Sequence, residues 1–546
     1  MLFVYSDGNF IGNVSFEGNH ANYSGGAIGV LSQSVFSSYG NASFVSNEAK
    51  YGGAVCVVVS NIVLKGEVIF SNNTAYIGGS ILLYNGSVFN SYGSASFASN
   101  QADFGGAIYL YKDSNTSFGG NLIFANNTAD ENGGAIYLNG SSELNVDKDG
   151  KVSFFNSHAG DSGGAVYVSV SNIVLKGEIV FSNNTAYIGG SIHLYNGSVF
   201  NSYGSTSFAS NQADFGGAVH ISYDSNASFG GETVFANNNA AYGGAIRVYS
   251  QSGISIYGNA SFVSNEAEYG GAIHVVIGSN IVLKGKTVFA NSTADRYGGA
   301  IMFENSELNV TEEGRVYFFN NHAGVSGGAM MFFDGEAHFI GNVSFEGNHA
   351  MLNGGAIFVR DSNIVLKGNS VFVNSTADFG GAIMLIGSSE LNVTEEGRVF
   401  FCNNHAGDSG GAILVYRRSV FNSYGTASFE SNEAGFGGAI YASDSSLFID
   451  TGTVFILNVA STGSGGGVYV SSSVMALSGT VFRENRGNTE GGGIASFSSG
   501  SILEEEIVDT PFLEIPTNSS ILDEETVSSG PSKITGCRFD GNTASE

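Results

Sequence analysis

A Gly-Gly pair returns every 26 to 30 residues along almost the whole chain, and this repeat constrains the fold more than any other feature. Each pair follows a Phe by eight to eleven residues, and across 19 such units Asn stands three residues after the Phe in 16 and Ala five residues after it in 18. The eighteen pairs begin at Gly25, Gly52, Gly78, Gly105, Gly133, Gly163, Gly189, Gly216, Gly243, Gly270, Gly298, Gly327, Gly354, Gly380, Gly410, Gly437, Gly466 and Gly492. Such a period is typical of a solenoid, in which each repeat forms one coil that stacks on the last.

Short segments of alternating apolar residues connect the repeated motifs. Ile62, Leu64, Val68 and Phe70, for example, stand at every second position, and this period predicts strands. No segment has the length of the helices that usually connect parallel strands. We therefore predict an all-β fold, a right-handed single-stranded parallel β-helix of about 18 coils, which at about 4.8 Å per coil is a rod of about 85 Å.

Equivalent side chains of successive coils are expected to form columns inside this rod. The Phe rings would stack, the Asn amides would form a ladder, and the Gly pairs would supply a turn with positive φ. The structural repeat residues that we expect in these columns include Phe16, Asn19, Gly25, Gly26, Phe44, Asn47, Gly52, Gly53, Phe97, Asn100, Gly105, Gly106, Phe208, Asn211, Gly216 and Gly217.

A variable position follows each Gly-Gly-Ala motif and lies between two apolar positions. Alternation along a strand predicts that its side chain points outward. Tyr109, Tyr137, Tyr167, His193 and His220 occupy it, and aromatic residues are enriched in interfaces. These five residues are the sequence candidates for a contact surface.

The sequence divides into a repeat array over 1–495, a segment over 496–538 and a further coil that begins over 539–546. The middle segment contains Pro511, Pro516 and Pro531, all the prolines of the chain, together with many carboxylates. This composition predicts an inserted loop. Because the repeat pattern is interrupted within a coil at both ends, we expect the chain to be a piece of a longer protein.

Charge and cysteine content exclude several classes of function. Forty-eight acidic and 20 basic residues give a net charge of -28, which disfavours nucleic-acid binding. Three cysteines cannot form a disulfide framework or a four-ligand zinc site. Because no run of roughly 20 apolar residues is present, membrane attachment is expected only through regions outside this chain. We expect no cofactor, no metal and no catalytic residues.

The combination of GGA[IV] and FxxN, as in FASNQADFGGAI from Phe97, resembles the repeats of the polymorphic membrane proteins of chlamydiae. The resemblance covers almost the whole chain. It implies a surface-exposed or secreted β-helical passenger, at the outer membrane in a bacterium, that acts in adhesion and virulence. The implied partner is a surface protein or glycan of a host or neighbouring cell.

An enzyme is the rival class, because β-helices also form polysaccharide lyases and glycosidases that use paired carboxylates or bound Ca²⁺. Asp103 and Asp130 occupy equivalent places on adjacent coils, but Asp214, Asp295 and Asp378 repeat this position elsewhere. A solvated turn is therefore the better interpretation. His322 and His349 also occupy equivalent places, and no third ligand of fixed spacing accompanies them.

A glycosylated surface protein of a eukaryote is the other alternative. The chain contains eighteen N-x-S/T sequons, and the possible sites include Asn13, Asn41, Asn72, Asn85, Asn115, Asn226 and Asn392.

Near-identical blocks also recur, since the sequence from Ser60 returns from Ser171. Repeated presentation of one surface favours multivalent contact over a single catalytic cleft. We predict a non-enzymatic extracellular repeat protein that is adhesin-like or structural.

Overall fold

The computed structural model describes residues 1–147, 150–450, 452–497, 533–535 and 537–544. Within these residues the chain contains strands and no helix. Each coil adds one strand to each of three sheets, and strands of successive coils pair in parallel, as Val219–Ser222 does with Ile246–Tyr249. The predicted all-β solenoid of stacked parallel coils is confirmed.

Three 19-stranded sheets form the sides of the rod. The first sheet follows the Gly-Gly-Ala motif and consists of Leu2–Val4, Ile28–Leu31, Val55–Val58, Ile81–Tyr84, Ile108–Tyr111, Ile136–Asn139, Val166–Ser169, Ile192–Tyr195, Val219–Ser222, Ile246–Tyr249, Ile273–Val276, Ile301–Glu304, Met330–Phe333, Ile357–Arg360, Ile383–Ile386, Ile413–Tyr416, Ile440–Ser443, Val468–Ser471 and Ile494–Phe497. The second sheet consists of Gly8–Phe10, Val35–Ser38, Asn61–Leu64, Val88–Ser91, Asn115–Phe118, Glu143–Val146, Asn172–Leu175, Val199–Ser202, Asn226–Phe229, Gly253–Ile256, Asn280–Leu283, Glu307–Val310, Glu336–Phe339, Asn363–Leu366, Glu390–Val393, Val420–Ser423, Ser446–Ile449, Val474–Ser478 and Lys533–Thr535. The third sheet contains the repeat Phe and consists of Val14–Glu17, Ala42–Val45, Val68–Ser71, Ala95–Ala98, Leu122–Ala125, Lys151–Phe155, Glu178–Ser182, Thr206–Ala209, Thr233–Ala236, Ala260–Val263, Lys286–Ala290, Arg315–Phe319, Asn342–Glu346, Asn369–Val373, Arg398–Cys402, Thr426–Glu430, Val454–Ile456, Val481–Arg483 and Arg538–Asp540.

A corner segment links the third sheet to the next Gly-Gly pair. It forms smaller parallel ladders from His20–Ser24, Glu48–Tyr51, Gln101–Phe104, Thr128–Asn132, His158–Ala159, Glu266–Tyr269, Thr293–Tyr297, His322–Ala323, His349–Ala350, Thr376–Phe379, His405–Ser409, Glu433–Ala434, Val459–Ala460, Arg486–Gly487 and Thr543–Ala544. Residues equivalent to these strands in other coils pair through isolated bridges, such as Gln212 with Asn239. The corner therefore runs along the whole rod beside the first sheet.

The repeat Phe residues stack in one column through the centre of the rod. Phe16 begins the column and Phe539 ends it, and the centroids of successive rings lie 4.6 to 5.1 Å apart in nearly parallel planes. Phe208 in the middle is fully buried. Side chains along a strand point alternately inward and outward, so the inward residues of the other two sheets are buried in the same way as the repeat Phe.

The repeat Asn residues form a hydrogen-bonded ladder next to this column. Asn238 Oδ1 accepts hydrogen bonds from the backbone N–H and the Nδ2 of Asn211, both at 3.0 Å. Its Nδ2 donates to the carbonyl of Phe208 and to Asn265 Oδ1, again at 3.0 Å. Three serines, Ser157, Ser292 and Ser375, interrupt the ladder and leave their hydroxyl oxygens without a hydrogen-bond partner. An Asn with Asn on both sides, such as Asn238, thus joins its own coil to both neighbours.

Asn238→Ala is expected to lower the free energy of unfolding by about 1–3 kcal/mol, because it leaves buried donors of Asn211 without an acceptor. The measurement is the urea midpoint followed by circular dichroism. The exposed neighbour Asn239 is the matched control, and its change to Ala is expected to have an effect within about 0.5 kcal/mol. Equal losses for the two variants would contradict the ladder.

Both residues of the Gly-Gly pair must be glycine. Gly216 has a φ of 65°, and a Cβ on Gly217 would collide with the carbonyl oxygens of Gly244 and Asn239 in the next coil. The predicted pairs at Gly466 and Gly492 are wrong by one residue, because the positive φ belongs to Gly465 and Gly491. Three consecutive Gly residues stand at each of these places, and the third takes the position of the usual Ala.

Most of the predicted insertion over 496–538 falls in residues 498–532 and 536, including Pro511, Pro516 and Pro531, and lies outside the described residues. On either side, Ile494–Phe497 and Lys533–Thr535 are strands of the first and second sheets. Beyond them Phe539 continues the Phe column at 4.9 Å from Phe482, and Asn542 accepts a hydrogen bond from Asn485 at 2.9 Å.

Candidate functional site

The outward position of the first sheet is covered rather than exposed, which corrects the sequence prediction for the contact surface. His193 and His220 are only 6% and 5% exposed, and Tyr109, Tyr137 and Tyr167 are partly buried. The corner segment lies over this position and packs aromatic rings against it. One such ring is that of Phe104, whose centroid is 5.9 Å from that of Tyr137.

Further along the rod, the covered column forms a second apolar core outside the first sheet. Met302, Met331, Phe358, Met384 and Leu414 occupy the outward position there and are buried. Their cover includes the corner residues Tyr269 and Tyr297, which precede Gly-Gly pairs and belong to the same hydrophobic cluster. The outward side chains of the first sheet therefore stabilise the fold instead of presenting a surface.

Between these regions the covered column contains four basic side chains on successive coils: His193, His220, Arg247 and His274. The His193 and His220 ring centroids lie 4.9 Å apart, and His193 Nε2 is 3.0 Å from Ser222 Oγ. Burial lowers the pKa of His193 to about 3. Burial, followed by the proximity of His193, Arg247 and His274, lowers the pKa of His220 well below its usual value. Both rings are therefore neutral at pH 7.

Arg247 is held in this column by aromatic rings. Its guanidinium carbon lies 4.6 Å from the centroid of Phe215 and 5.1 Å from that of Tyr249, which are cation–π distances. On the next coil, His274 Nε2 is 3.2 Å from Glu304 Oε1. Burial lowers the pKa of His274, and the charge of Arg247 adds to this effect. The neutral His274 ring accordingly donates its Nε2–H to Glu304.

Exposed tyrosines line a different edge of the rod, where the second sheet turns into the third. This tyrosine ridge consists of Tyr39, Tyr92, Tyr203, Tyr257 and Tyr424, whose side chains are 50% to 62% exposed. Each follows the last residue of a second-sheet strand. The backbone is fixed there, since the N–H groups of Tyr92 and Tyr203 each donate to a carbonyl of the preceding coil at 2.9 Å. A rigid scaffold thus presents the same side chain on five coils.

Lysine occupies the position of the ridge on four of the intervening coils, at Lys65, Lys176, Lys284 and Lys367. The Lys65 amine lies 4.4 Å from the ring centroid of Tyr39, and that of Lys284 lies 4.7 Å from Tyr257. These cation–π contacts restrict the rings. Tyr203 and Tyr257 are two coils apart, a separation of about 9.6 Å. Sequence reasoning missed this ridge, although a signal exists: each Tyr directly precedes the Gly that stands four residues before the repeat Phe.

The acidic and histidine pairs considered from the sequence lie on the surface of the corner. Partial burial raises the pKa of Asp103, and the charge of Asp130 raises it further. Asp214, Asp295 and Asp378 are exposed at the same place in other coils. The rings of His322 and His349 stack with centroids 5.0 Å apart, and His349 Nδ1 is 2.7 Å from Thr376 Oγ1. Among the described residues, no three His, Cys, Asp or Glu side chains are grouped to hold a metal ion.

The selected sequons stand mainly on the surface. Asn13, Asn41, Asn72, Asn85, Asn115 and Asn226 are exposed, whereas Asn392 is half-buried and accepts a hydrogen bond from Asn422 at 2.8 Å. Whether they carry glycans stays a prediction.

Cys56, Cys402 and Cys537 form no disulfide. The described part of the chain also contains no helix that could span a membrane.

Stacked coils, inward ladders and a repeated surface ridge define a parallel β-solenoid repeat protein. The family model of the Chlamydia polymorphic membrane protein repeat matches residues 13–30 and 121–139. Each match contains one F-x-x-N motif and the following Gly-Gly-Ala-Ile, so these two repeats match the repeat of this family, as the sequence resemblance indicated. A second family model, that of a component of the Discoidin-inducing complex, matches residues 216–482. No curated protein and no solved structure matched the chain.

Proposed function

We propose that the chain is a non-enzymatic, adhesin-like repeat protein that is displayed at a cell surface or secreted, and at the outer membrane if its source is bacterial. The tyrosine ridge is the observation that carries this proposal. Its five exposed rings stand at equivalent positions on a rigid rod. Tyrosine supplies a large apolar area with a polar end and is enriched in interfaces. Several weak contacts on one scaffold add to a strong attachment.

The partner is a surface protein or glycan of a host or neighbouring cell. The polymorphic membrane protein repeats support a surface location for this chain. The non-enzymatic role is supported by the corner carboxylates, because single aspartates occupy the same place on other coils, at the exposed Asp214, Asp295 and Asp378, so that the position is not reserved for a catalytic pair. Turnover of a polyuronate by the purified chain would contradict this part of the proposal.

Removal of three ridge rings is expected to reduce cell attachment by about tenfold or more, because avidity depends steeply on the number of contacts. The variant is Tyr92→Ser/Tyr203→Ser/Tyr257→Ser, and the measurement is the number of protein-coated beads retained on a panel of cell types. Tyr76→Ser/Tyr187→Ser is the matched control, because these corner tyrosines are 46% and 48% exposed but lie outside the ridge. Equal retention of all three proteins would overturn the assignment of the ridge.

A further inference from the structure

The outer face of the third sheet carries no charged side chain in its two central rows over eleven successive coils. This neutral face consists of the residues immediately before and after the repeat Phe in the strands from Ala42–Val45 to Arg315–Phe319. Its residues are Ser43, Val45, Ile69, Ser71, Ser96, Ala98, Ile123, Ala125, Ser153, Phe155, Val180, Ser182, Ser207, Ala209, Val234, Ala236, Ser261, Val263, Val288, Ala290, Tyr317 and Phe319. Seven are serine and the other fifteen are apolar.

The neutral face is unusual on a chain with a net charge of -28. Glutamates stand immediately beyond both of its ends, at Glu17 and Glu346. The outward rows of the second sheet contain Glu143 and Glu307 within the same coils. Charge is thus kept out of the two rows beside the repeat Phe over the central length of the rod, whereas the next outward row of the same strands contains Lys151, Glu178, Lys286 and Arg315.

Large apolar side chains are exposed on this face. Ile69 is 49% exposed, Ile123 is 41% exposed, and Tyr317 and Phe319 are 40% and 41% exposed at one end. The other apolar residues of the two rows are half-buried, except for the nearly buried Ala125. Contiguous exposed apolar surface of this kind marks an interaction site.

The dimensions of the neutral face suit a stable interface. Ten rises of about 4.8 Å and a strand width of about 13 Å give an area of about 620 Å² per copy. Two such faces in contact would bury about 1,250 Å² in total, which lies in the range of specific protein–protein interfaces.

We infer that the neutral face is a self-association surface on which a second copy of this chain packs, sheet against sheet. A second copy has the same spacing between its strands, so that side chains of the two faces interdigitate along the full length. It also presents two uncharged rows, so that the contact does not place carboxylates directly opposite carboxylates. The contact is isologous, with one patch used by both copies.

Paired substitutions on the same two coils test this surface. Val180 and Val288 lie on the neutral face, and Val174 and Val282 lie outward on the second sheet of the same two coils, all half-buried. Analytical ultracentrifugation of the full chain from a host that adds no glycans is expected to show a dimer. Val180→Lys/Val288→Lys is expected to raise its Kd by about tenfold or more, because it places like charges opposite each other. Val174→Lys/Val282→Lys is expected to leave the Kd unchanged.

The salt dependence of dimerisation is a second, independent measurement. An increase in NaCl from low to high concentration is expected to tighten the dimer, because it screens the repulsion between two chains of charge -28. If Val180→Lys/Val288→Lys does not fold, as judged by circular dichroism, Ser207→Lys/Ser261→Lys adds charge to the same face without removing apolar groups. A chain that is monomeric at all concentrations and salts, or equal weakening by face and control variants, would overturn the inference. Dimerisation only after deletion of residues 498–532 would also overturn it, since that segment would then occupy the face.

Discussion

Phe208→Ala is expected to lower the free energy of unfolding by about 3–5 kcal/mol, the usual cost of removing a fully buried aromatic ring. The Phe208 ring is completely inaccessible to solvent and stacks on Phe181 at 4.8 Å and on Phe235 at 4.7 Å. Its removal leaves a cavity in the centre of the rod that the neighbouring coils cannot fill without breaking their own stacking. The urea midpoint of the full chain, followed by circular dichroism, measures the effect.

Tyr203→Ala provides the comparison within the same coil. Tyr203 is an aromatic residue that is 61% exposed on the tyrosine ridge, and its loss is expected to change the free energy of unfolding by no more than about 0.5 kcal/mol. A midpoint that moves equally for the two variants would show that the Phe column does not support the fold.

Acidification from pH 7 to pH 5 is expected to destabilise the folded chain by about 2 kcal/mol through His193 alone, and further through the buried His220 and His274. In the unfolded chain, His193, His220 and His274 bind protons near the ordinary pKa of about 6.5. In the folded chain, burial lowers the pKa of each ring, so that protons bind preferentially to the unfolded chain below pH 6.5. Stability is therefore fully present above pH 6.5 and falls by about 1.4 kcal/mol per pH unit for each neutral histidine.

The matched variant for this prediction is His193→Met/His220→Met/His274→Met. Methionine fits the covered column, because Met302, Met331 and Met384 occupy equivalent positions further along the rod. Urea midpoints of this variant are expected to change little between pH 7 and pH 5. The same pH slope in both proteins would assign the acid sensitivity to groups outside the column.

The interior of the rod follows directly from the sequence. A strand has a period of two and a solenoid has a period of one coil, so that Phe208 must lie over Phe181 and Asn211 over Asn184 once the repeat is recognised. The structure places them in this way. The ladder of serines between the first and second sheets, in which the backbone N–H of Ser198 donates to Ser225 Oγ, was also readable from the period but was not predicted.

The outer layer could not be derived from the same pattern. The alternation of apolar residues correctly predicts which side chains lie on each side of the first sheet. It does not predict which residues pack over the outer side. The position of His274 as an outward residue is consistent with the alternation, whereas its burial depends on the path of the corner segment and on corner residues such as Tyr242, whose ring centroid lies 5.7 Å from that of His274. Because the corner differs in length from coil to coil, its path is set by packing and not by a fixed period.

The backbone conformation at the junction between coils is the same at equivalent positions along the rod. This conservation suggests how rods of different length arise. Val59 and Val170 precede the two copies of the repeated block and have nearly equal φ angles of 51° and 49°. Loss of residues 60–170 by recombination between the copies would connect Val59 to Ser171 without a mismatch in backbone conformation. The product would be shorter by four complete coils, about 19 Å, with both the Asn ladder and the Phe column continuous across the junction. Genes that encode such rods can therefore vary in length in whole coils while the fold is preserved.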